Sequence, residues 1–211
     1  MADYAAIAEA VKKGNRNLVN QLVQEALDAG ERPSDVMNNG LIAGMMEIGE
    51  RFKNNEVYVP EVLIAARAMK AGLAIIKPLL VSDNFEPKGK VAVATVKGDL
   101  HDIGKNLVAM MLEGAGFQVI DLGVDCPPEK FVDAAVNQGA QIIAMSALLT
   151  TTMPSMKDTV DAFVAAGIRD KVKIIVGGAP VSQSFCDEIG ADGYSSDAAS
   201  AAELALKLIG A

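Results

Sequence analysis

Five short apolar runs, each followed by a segment with helical spacing, occupy the second half of the sequence and restrict the folds it can adopt. The first run is V-A-V-A-T-V at residues 91–96, and the later ones are V-I-D-L-G, I-I-A-M-S, K-I-I-V-G-G and the weaker A-D-G-Y-S. Apolar strands that alternate with helices indicate a parallel sheet with helices on both faces. We therefore predict an α/β domain at residues 91–211, with a five-stranded parallel sheet of the Rossmann-like or flavodoxin-like type. In such sheets, ligands bind beyond the carboxyl ends of the strands.

The first part of the sequence has a different period, because its apolar residues recur at helical spacing up to about residue 82. Four helices are predicted, at Tyr4 to Val11, Leu18 to Ala26, Pro33 to about Lys53, and Pro60 to Leu80. Short connections between them indicate an N-terminal four-helix bundle at residues 1–82. The polar segment at residues 83–90 contains Pro and Gly and is predicted to be a linker between the two domains.

Charge and composition exclude several classes of protein. The 19 basic and 27 acidic side chains give a formal net charge of -8, which argues against a nucleic-acid binder, since such proteins need clustered Lys and Arg. The first ten residues contain acids and no basic segment, so no signal peptide is predicted. The longest uncharged run, Asn137 to Met156, contains Gln, Ser, Thr and Pro and is a poor membrane span. We expect a cytoplasmic protein in which Cys126 and Cys186 are reduced thiols.

The only histidine of the chain, His101, lies in the stretch V-K-G-D-L-H-D-I-G-K-N at residues 96–106. This stretch is the predicted loop between the first strand and its helix, which is the binding edge of the sheet. The segments S-A-L-L-T-T-T at 146–152 and G-G-A-P at 177–180 follow the third and fourth strands and converge on the same edge. Ordinary roles remain open for each feature taken alone: a solvated histidine, a helix N-cap, a strand-end hydroxyl and turn glycines.

Several cofactor classes are excluded by the motifs at this edge. The sequence has no G-x-G-x-x-G, no G-K-[ST] and no G-x-S-x-G, and a single histidine cannot build a zinc site. A metal that arrives in a macrocycle and needs one imidazole remains. In this interpretation Asp99 reaches the histidine nitrogen that does not face the metal, and fixes the tautomer. Gly104 removes a side chain where a bulky group must pass, and Ser146 could hydrogen-bond Asp99.

These residues resemble a known family. D-L-H-D-I-G matches the D-x-H-x-x-G signature of cobalamin-binding domains, S-A-L matches their S-x-L motif, and Gly177-Gly178 matches their G-G motif. The segment G-E-R-F-K-N-N-E-V-Y-V-P-E-V-L-I-A-A-R-A-M-K is similar to the helical cap of methionine synthase. Nearly the whole chain resembles the small corrinoid methyl carriers of methylamine, methanol and methoxyl-compound methyltransferase systems.

The resemblance implies a role for each matching residue. His101 would be the lower axial ligand of cobalt, in place of the cofactor's own base, and Asp99 and Ser146 would form its hydrogen-bond relay. The nucleotide tail of the cobalamin would thread past Gly104, and Phe52 and Val59 of the cap would cover the upper face of the cobalt. The remaining residues implied to line the tail slot are Leu148, Thr150, Gly177, Gly178, Asp197 and Ala198.

The resemblance also implies a cycle between methyl-Co(III) and Co(I). The chain would carry the methyl group from a donor-specific methyltransferase to a second, methylcorrinoid:acceptor methyltransferase that uses tetrahydrofolate or a thiol, and it would not be catalytic alone. A reductive activase is a further implied partner, whereas nucleic acid and membrane are not expected. The alternatives are a cobalamin-sensing regulatory module, a cobalamin-binding subunit of a mutase, and a flavodoxin-like module in which the motif is incidental.

Overall fold

A computed structural model describes residues 3–80 and 86–210 of the chain. These residues form two compact units, one built mainly from residues before Glu86 and the other mainly from residues after Pro87. Residues 81–85 lie outside the described part, and with them three of the eight residues of the predicted linker, so the domain boundaries stay a prediction.

The first unit is helical. Its elements are α1 (Tyr4–Lys12), α2 (Arg16–Asp28), α3 (Pro33–Asp35), a π-helical segment (Val36–Ile42), α4 (Ala43–Lys53) and α5 (Val59–Leu80). The backbone stays helical from α3 through the π-helical segment into α4, so these three stretches make one continuous helix. The prediction of four helices is therefore confirmed for this unit.

The helix boundaries follow from local chemistry. The side chains of Asp3 and Asn15 accept hydrogen bonds from the backbone amides of Ala6 and Leu18, and thereby cap α1 and α2. Pro33 occupies the first turn of α3, where a missing amide proton costs nothing. The apolar faces form a core whose largest fully buried side chains are Ile7, Leu41, Met45, Ile48 and Ile76.

The π-helical segment is the one departure from the predicted helices. It carries Gly40, and α4 carries Gly44 one turn later, and both glycines are buried. A β-carbon on Gly44 would lie 2.7 Å from the carbonyl oxygen of Ala8, and one on Gly40 would lie 2.9 Å from Ile7. The two glycines therefore allow the continuous helix to pack closely against α1.

The second unit is a parallel sheet with its helices. The strands are β1 (Lys90–Val96), β2 (Gln118–Cys126), β3 (Ile142–Ser146), β4 (Lys173–Gly177) and β5 (Gly193–Ser195). The helices are α6 (Ile103–Gly114), α7 (Pro128–Gln138), α8 (Pro154–Ala165), α9 (Gln183–Ile189) and α10 (Ala198–Ile209), with a short 3-10 turn at Arg169–Lys171. Every strand pair is parallel, and the strand order is β2-β1-β3-β4-β5. This order is the flavodoxin-like one, so the predicted fold class is confirmed.

The strand order fixes where a ligand can bind. The chain leaves β1 toward β2 on one side and later adds β3 on the other, so β1 and β3 flank the switch point of the sheet. At the carboxyl edge, Thr95 pairs with Ser146, Ser146 with Gly177, and Gly177 with Ser195. The predicted loops after β1, β3 and β4 therefore start from one row of small residues.

Burial agrees with strands that are covered on both faces. All residues of β1 except its first are buried, and β3 is buried up to Ser146. Both cysteines are free thiols in the interior, and burial raises the pKa of Cys126 to about 11. No helix in the described part of the chain is long and apolar enough to cross a membrane.

Candidate functional site

His101 lies on the loop that joins β1 to α6, at the carboxyl edge of the sheet. The loop is tied down at both ends, because the Asp99 amide donates to the carbonyl of Val96 over 3.1 Å and the buried Thr95 hydroxyl donates to the carbonyl of His101 over 2.8 Å. Gly98 has a φ of +83°, which a residue with a side chain rarely adopts. Its backbone conformation turns the chain from the strand into the loop.

The imidazole of His101 is held by one carboxylate. Its Nδ1 lies 2.7 Å from Oδ1 of Asp99, and its backbone amide donates to the same oxygen over 3.0 Å. The Asp99 side chain is 0% exposed, whereas that of His101 is 52% exposed. The predicted Asp99–His101 contact is thus present, and it joins a buried acceptor to an imidazole that solvent can reach.

The second oxygen of Asp99 is saturated by the loop that follows β3. Oδ2 accepts from the Leu148 amide at 2.7 Å, the Thr152 hydroxyl at 2.9 Å and the Leu149 amide at 3.3 Å. Burial raises the pKa of this carboxyl, but hydrogen bonds from His101, Leu148 and Thr152 outweigh it and hold the pKa well below its usual range. Asp99 is therefore a carboxylate at neutral pH.

The ionised state of Asp99 fixes the tautomer of the imidazole. A carboxylate can only accept a hydrogen bond, so Nδ1 of His101 must carry the proton that it donates. In the neutral imidazole, Nε2 then keeps a free lone pair. Nε2 has no hydrogen-bond partner within the described residues. The arrangement can present one neutral nitrogen ligand to a metal ion.

The prediction that Ser146 hydrogen-bonds Asp99 is wrong. Thr152 makes the contact instead, because the loop after β3 folds back and brings its backbone amides and the Thr152 hydroxyl onto Oδ2. Ser146 ends β3 between Thr95 and Gly177 and is half-buried. Thr152 was missed because three threonines follow each other at 150–152, and the sequence does not reveal which of them turns inward.

The two glycines after β4 have a structural reason to be glycine. Gly178 has a φ of +126°, and a β-carbon there would lie 1.9 Å from the carbonyl oxygen of Ala147. A β-carbon on Gly177 would lie 2.9 Å from the carbonyl oxygen of Ser195. Both residues therefore have the ordinary role of glycines in a tight turn. Their lack of a side chain lets the end of β4 pack against the loop that holds Asp99.

Gly104 differs from Gly177 and Gly178, because no protein contact accounts for it. Gly104 lies in the first turn of α6, and a β-carbon there would meet no protein atom within 4 Å. Helices disfavour glycine by about 1 kcal/mol relative to alanine. The position is open on the side where a bulky group was predicted to pass.

Exposed apolar side chains are concentrated on the segments that carry His101 and that hold Asp99. Of the six large hydrophobic residues exposed in the described part of the sheet unit, four belong to the loops after β1 and β3 or to the start of α6, namely Leu100, Ile103, Leu148 and Leu149. Leu100 is 72% exposed and Ile103 is 77% exposed. Exposed apolar side chains concentrated on the segments of a binding edge indicate a binding surface. Leu100, Ile103 and Leu149 were not predicted, although their apolar character in or next to a loop was a usable signal.

The other predicted sheet residues lie on the same edge in simpler roles. Thr150 is exposed in the loop after β3. Asp197 caps α10, since its carboxylate accepts from the amide and the hydroxyl of Ser200, and Ala198 is the buried first residue of that helix. Burial raises the pKa of Asp197, but the hydrogen bonds from Ser200 and Ser196 outweigh burial and lower the pKa overall.

The segment that ends β2 was not predicted as part of the site. Lys105 of α6 is only 3% exposed and donates to both carboxylate oxygens of Asp121, at 2.6 and 2.7 Å. Asp121 also accepts from the amide of Gly123. Further along, the side chain of Asp125 accepts from the amide of Gly98. The end of β2 is thus connected to α6 and to the loop that carries His101.

Two predicted residues belong to the helical unit. Phe52 lies near the end of α4 and Val59 begins α5, so both adjoin the connection between these helices. Both side chains are half-buried, and the neighbouring Tyr58 is 66% exposed. The pair is accessible at one end of the helical unit.

Comparisons with known proteins cover both units. Residues 4–77 and residues 89–203 each match a family model described as a B12 binding domain. The chain is 42% identical over 207 residues to a corrinoid protein of Desulfitobacterium hafniense (strain Y51), over 97% of this chain and 96% of that one. It is 44% identical over 196 residues to trimethylamine corrinoid protein 1 of Methanosarcina acetivorans, over 92% of this chain and 91% of that one.

A solved structure extends the similarity to three dimensions. A chain of the methanol:cobalamin methyltransferase complex of Methanosarcina barkeri superposes with a TM-score of 0.87 at 32% identity. The match covers 98% of this chain and 79% of that chain. The helical unit and the sheet unit therefore occur together, in this order, in known proteins.

Proposed function

This chain belongs to the corrinoid proteins of methylamine and methanol methyltransferase systems, which carry methyl groups, and on that premise we propose that His101 is the protein's ligand to the cobalt. The observation that supports the proposal most directly is the Asp99–His101 pair. Its 2.7 Å contact fixes the proton on Nδ1, which leaves Nε2 with a lone pair on a half-exposed side chain. A metal that brings its other ligands in a macrocycle needs one such nitrogen.

The surroundings of His101 fit a large, flat cofactor. Leu100, Ile103, Leu148 and Leu149 are exposed apolar side chains on the segments that carry His101 and hold Asp99. Gly104 leaves room beside the backbone at the start of α6. These residues would hold the macrocycle and its side groups. The row of small residues at the edge of the sheet, Thr95, Ser146, Gly177 and Ser195, would border the slot for the nucleotide tail. The remaining residues assigned to that slot are Thr150, Gly178, Asp197 and Ala198.

When bound, the corrinoid supplies a cobalt atom that accepts a methyl group and later releases it. The chain's own contribution is to bind, to orient and to hold protons. Asp99 keeps the Nδ1 proton of His101 in place, and the donors on Oδ2 keep Asp99 ionised. The Thr152 hydroxyl is within 2.9 Å of both Asp99 Oδ2 and the Leu149 carbonyl, so it has an acceptor in either orientation.

The helical unit would act as the cap. Phe52 and Val59 are the side chains proposed to cover the cofactor and to exclude water from its reactive face. The cap would move aside for each partner. The partners proposed are a donor-specific methyltransferase, a second methyltransferase with a tetrahydrofolate or thiol acceptor, and a reductive activase. The chain would be a carrier subunit that has no catalytic activity alone.

The single histidine makes a decisive test of the ligand feasible. Protein labelled with 15N-histidine carries the label only at His101, and it is loaded with an unlabelled corrinoid and reduced to Co(II). Electron paramagnetic resonance should then show a doublet splitting from one coordinated 15N nucleus. A triplet would mean that the cofactor's own 14N base is the ligand, and the absence of any nitrogen splitting would mean that no base is coordinated. Either result contradicts the proposal.

Gly104 offers a second prediction, in which stability and binding change in opposite directions. In Gly104→Ala the new methyl group meets no protein atom, and alanine favours the helix by up to about 1 kcal/mol. We expect the corrinoid-free protein to be as stable as the wild type or more stable. Corrinoid affinity should fall about 5- to 150-fold, since overpacking a filled site costs roughly 1 to 3 kcal/mol.

The measurement is a thermal melt of the corrinoid-free variant together with equilibrium dialysis against the corrinoid. Lys97→Ala is the matched control, since Lys97 lies exposed in the same loop region. It should alter neither quantity. Unchanged affinity in Gly104→Ala would remove this position from the binding surface.

A further inference from the structure

The end of β2 departs from regular strand geometry next to the loop that carries His101. Val93 pairs with Asp121, Ala94 with Gly123, and Val96 with Cys126, so the pairing between β1 and β2 slips by one residue twice. Gly123 and Asp125 both have positive φ values, +85° and +50°. Such bulges re-aim side chains and backbone groups at the edge of a sheet.

Asp125 uses this geometry to hold the loop from both sides. Its carboxylate Oδ1 accepts from the amide of Gly98 over 2.7 Å, and its own amide donates to the carbonyl of Asp99 over 3.0 Å. The two contacts hold the backbone of Gly98 and of Asp99 in place. Asp99 in turn holds the imidazole ring of His101. A displacement of Asp125 would therefore shift Asp99 and, through Asp99, the ring of His101.

Two properties of Asp125 can be tested separately: its positive φ and its accepting carboxylate. A positive φ is sterically disfavoured for residues with a side chain, and only Gly, Asn and Asp adopt it with any frequency. Glycine would satisfy the backbone best, but it has no group to accept the Gly98 amide. An ionised carboxylate makes a stronger hydrogen bond to a backbone amide than a neutral acceptor does. Asp125 therefore has a backbone conformation that is disfavoured for most residues and a carboxylate that accepts a hydrogen bond from the loop.

We propose that Asp125 is a positioning residue for the His101 imidazole, because it holds the Gly98–Asp99 segment and through it the ring. This inference rests on the proposed function, because it assumes that His101 is the ligand. Asp125 itself would touch neither the cofactor nor the methyl group. The Lys105–Asp121 ion pair and the Gly123 amide on Asp121 anchor the other end of the same bulge to α6.

Two variants separate the carboxylate from the backbone. Asp125→Gly keeps the positive φ without strain and removes the acceptor, whereas Asp125→Asn keeps both the positive φ and an amide oxygen that can accept. In the corrinoid-free full chain, amide exchange at Gly98 is measured by NMR. Exchange should become about 10- to 100-fold faster in Asp125→Gly, because a hydrogen bond to a charged group is lost. Asp125→Asn should show a smaller increase.

The same variants, labelled with 15N-histidine and loaded with corrinoid, are examined by electron paramagnetic resonance in the Co(II) state. The ratio of His101-ligated to unligated protein should fall about tenfold in Asp125→Gly, the size of effect typical of residues that orient a metal ligand. Asp125→Asn should restore most of this loss. Rescue by Asn is not expected if the residue matters only for the backbone turn, since Gly would then be the better substitute.

The outcomes separate the two proposals. A wild-type protein without a 15N doublet overturns the proposed function, and the inference with it. A wild-type doublet that stays undiminished in Asp125→Gly overturns the inference alone, as does Gly98 exchange that is unchanged in that variant. Loss of the doublet in Asp125→Gly together with rescue in Asp125→Asn supports both.

Discussion

Replacing His101 by alanine should remove all nitrogen coordination from the protein and weaken corrinoid binding by roughly 100-fold or more. Residues that merely orient a metal ligand are worth about 10- to 100-fold in metal affinity, so loss of the ligand itself should have at least the larger effect. The His101 side chain is half exposed and makes one side-chain hydrogen bond, to Asp99. We therefore expect the fold of the corrinoid-free variant to survive.

The measurements are equilibrium dialysis with the corrinoid and the absorption spectrum of the bound form. In His101→Ala, any residual bound corrinoid should show the spectrum of a cobalt without a histidine base. Lys97→Ala again serves as the control from the same loop region and should match the wild type. Wild-type affinity and an unchanged spectrum in His101→Ala would show that the imidazole is not the ligand.

Gly178→Ala is expected to have the largest effect on stability. Its β-carbon would lie 1.9 Å from the Ala147 carbonyl oxygen, and φ at this position is +126°. Both the carbonyl and the glycine belong to the backbone, so no side-chain rotation can relieve the contact. We expect a loss of about 3 to 5 kcal/mol in the free energy of unfolding, and a melting temperature lower by more than roughly 10 °C.

Gly190→Ala is the matched control, because Gly190 in the same unit has a φ of +75° but open space around its β-carbon position. It isolates the cost of a positive φ, about 1 to 2 kcal/mol. Because Ala147 directly precedes Leu148, a shift in Gly178→Ala should also disturb the donors on Asp99. Equal melting temperatures for the two variants would mean that the chain relaxes around Gly178 without cost.

Local patterns were sufficient for the parts of the structure that depend on neighbouring residues. The switch from helical spacing to alternating strands and helices predicted both units, and the two-residue spacing of Asp99 and His101 predicted their contact. The prediction that three loops lie together at one edge followed from the rule that ligands bind at the carboxyl ends of parallel strands. Each of these inferences needs only secondary structure and the direction of the chain.

The parts that were missed depend on the path of loops in three dimensions. Ser146 was assigned to Asp99 because it ends a strand, but the loop at 147–152 curls back and delivers Thr152. Asp125 reaches Gly98 only because β2 is bulged, and nothing in V-D-C-P predicts two slips of pairing. The π-helical segment likewise keeps an apolar spacing that resembles an ordinary helix.

The contacts that orient the imidazole all come from the chain itself: Asp99 on Nδ1, Thr95 on the carbonyl and the loop after β3 on the carboxylate. The rotational entropy of the ring is therefore lost during folding, before any encounter with a ligand. Such preorganisation lowers the entropic penalty of association. A ligand that binds at His101 would therefore need little further ordering of the ring or of the loop that carries it.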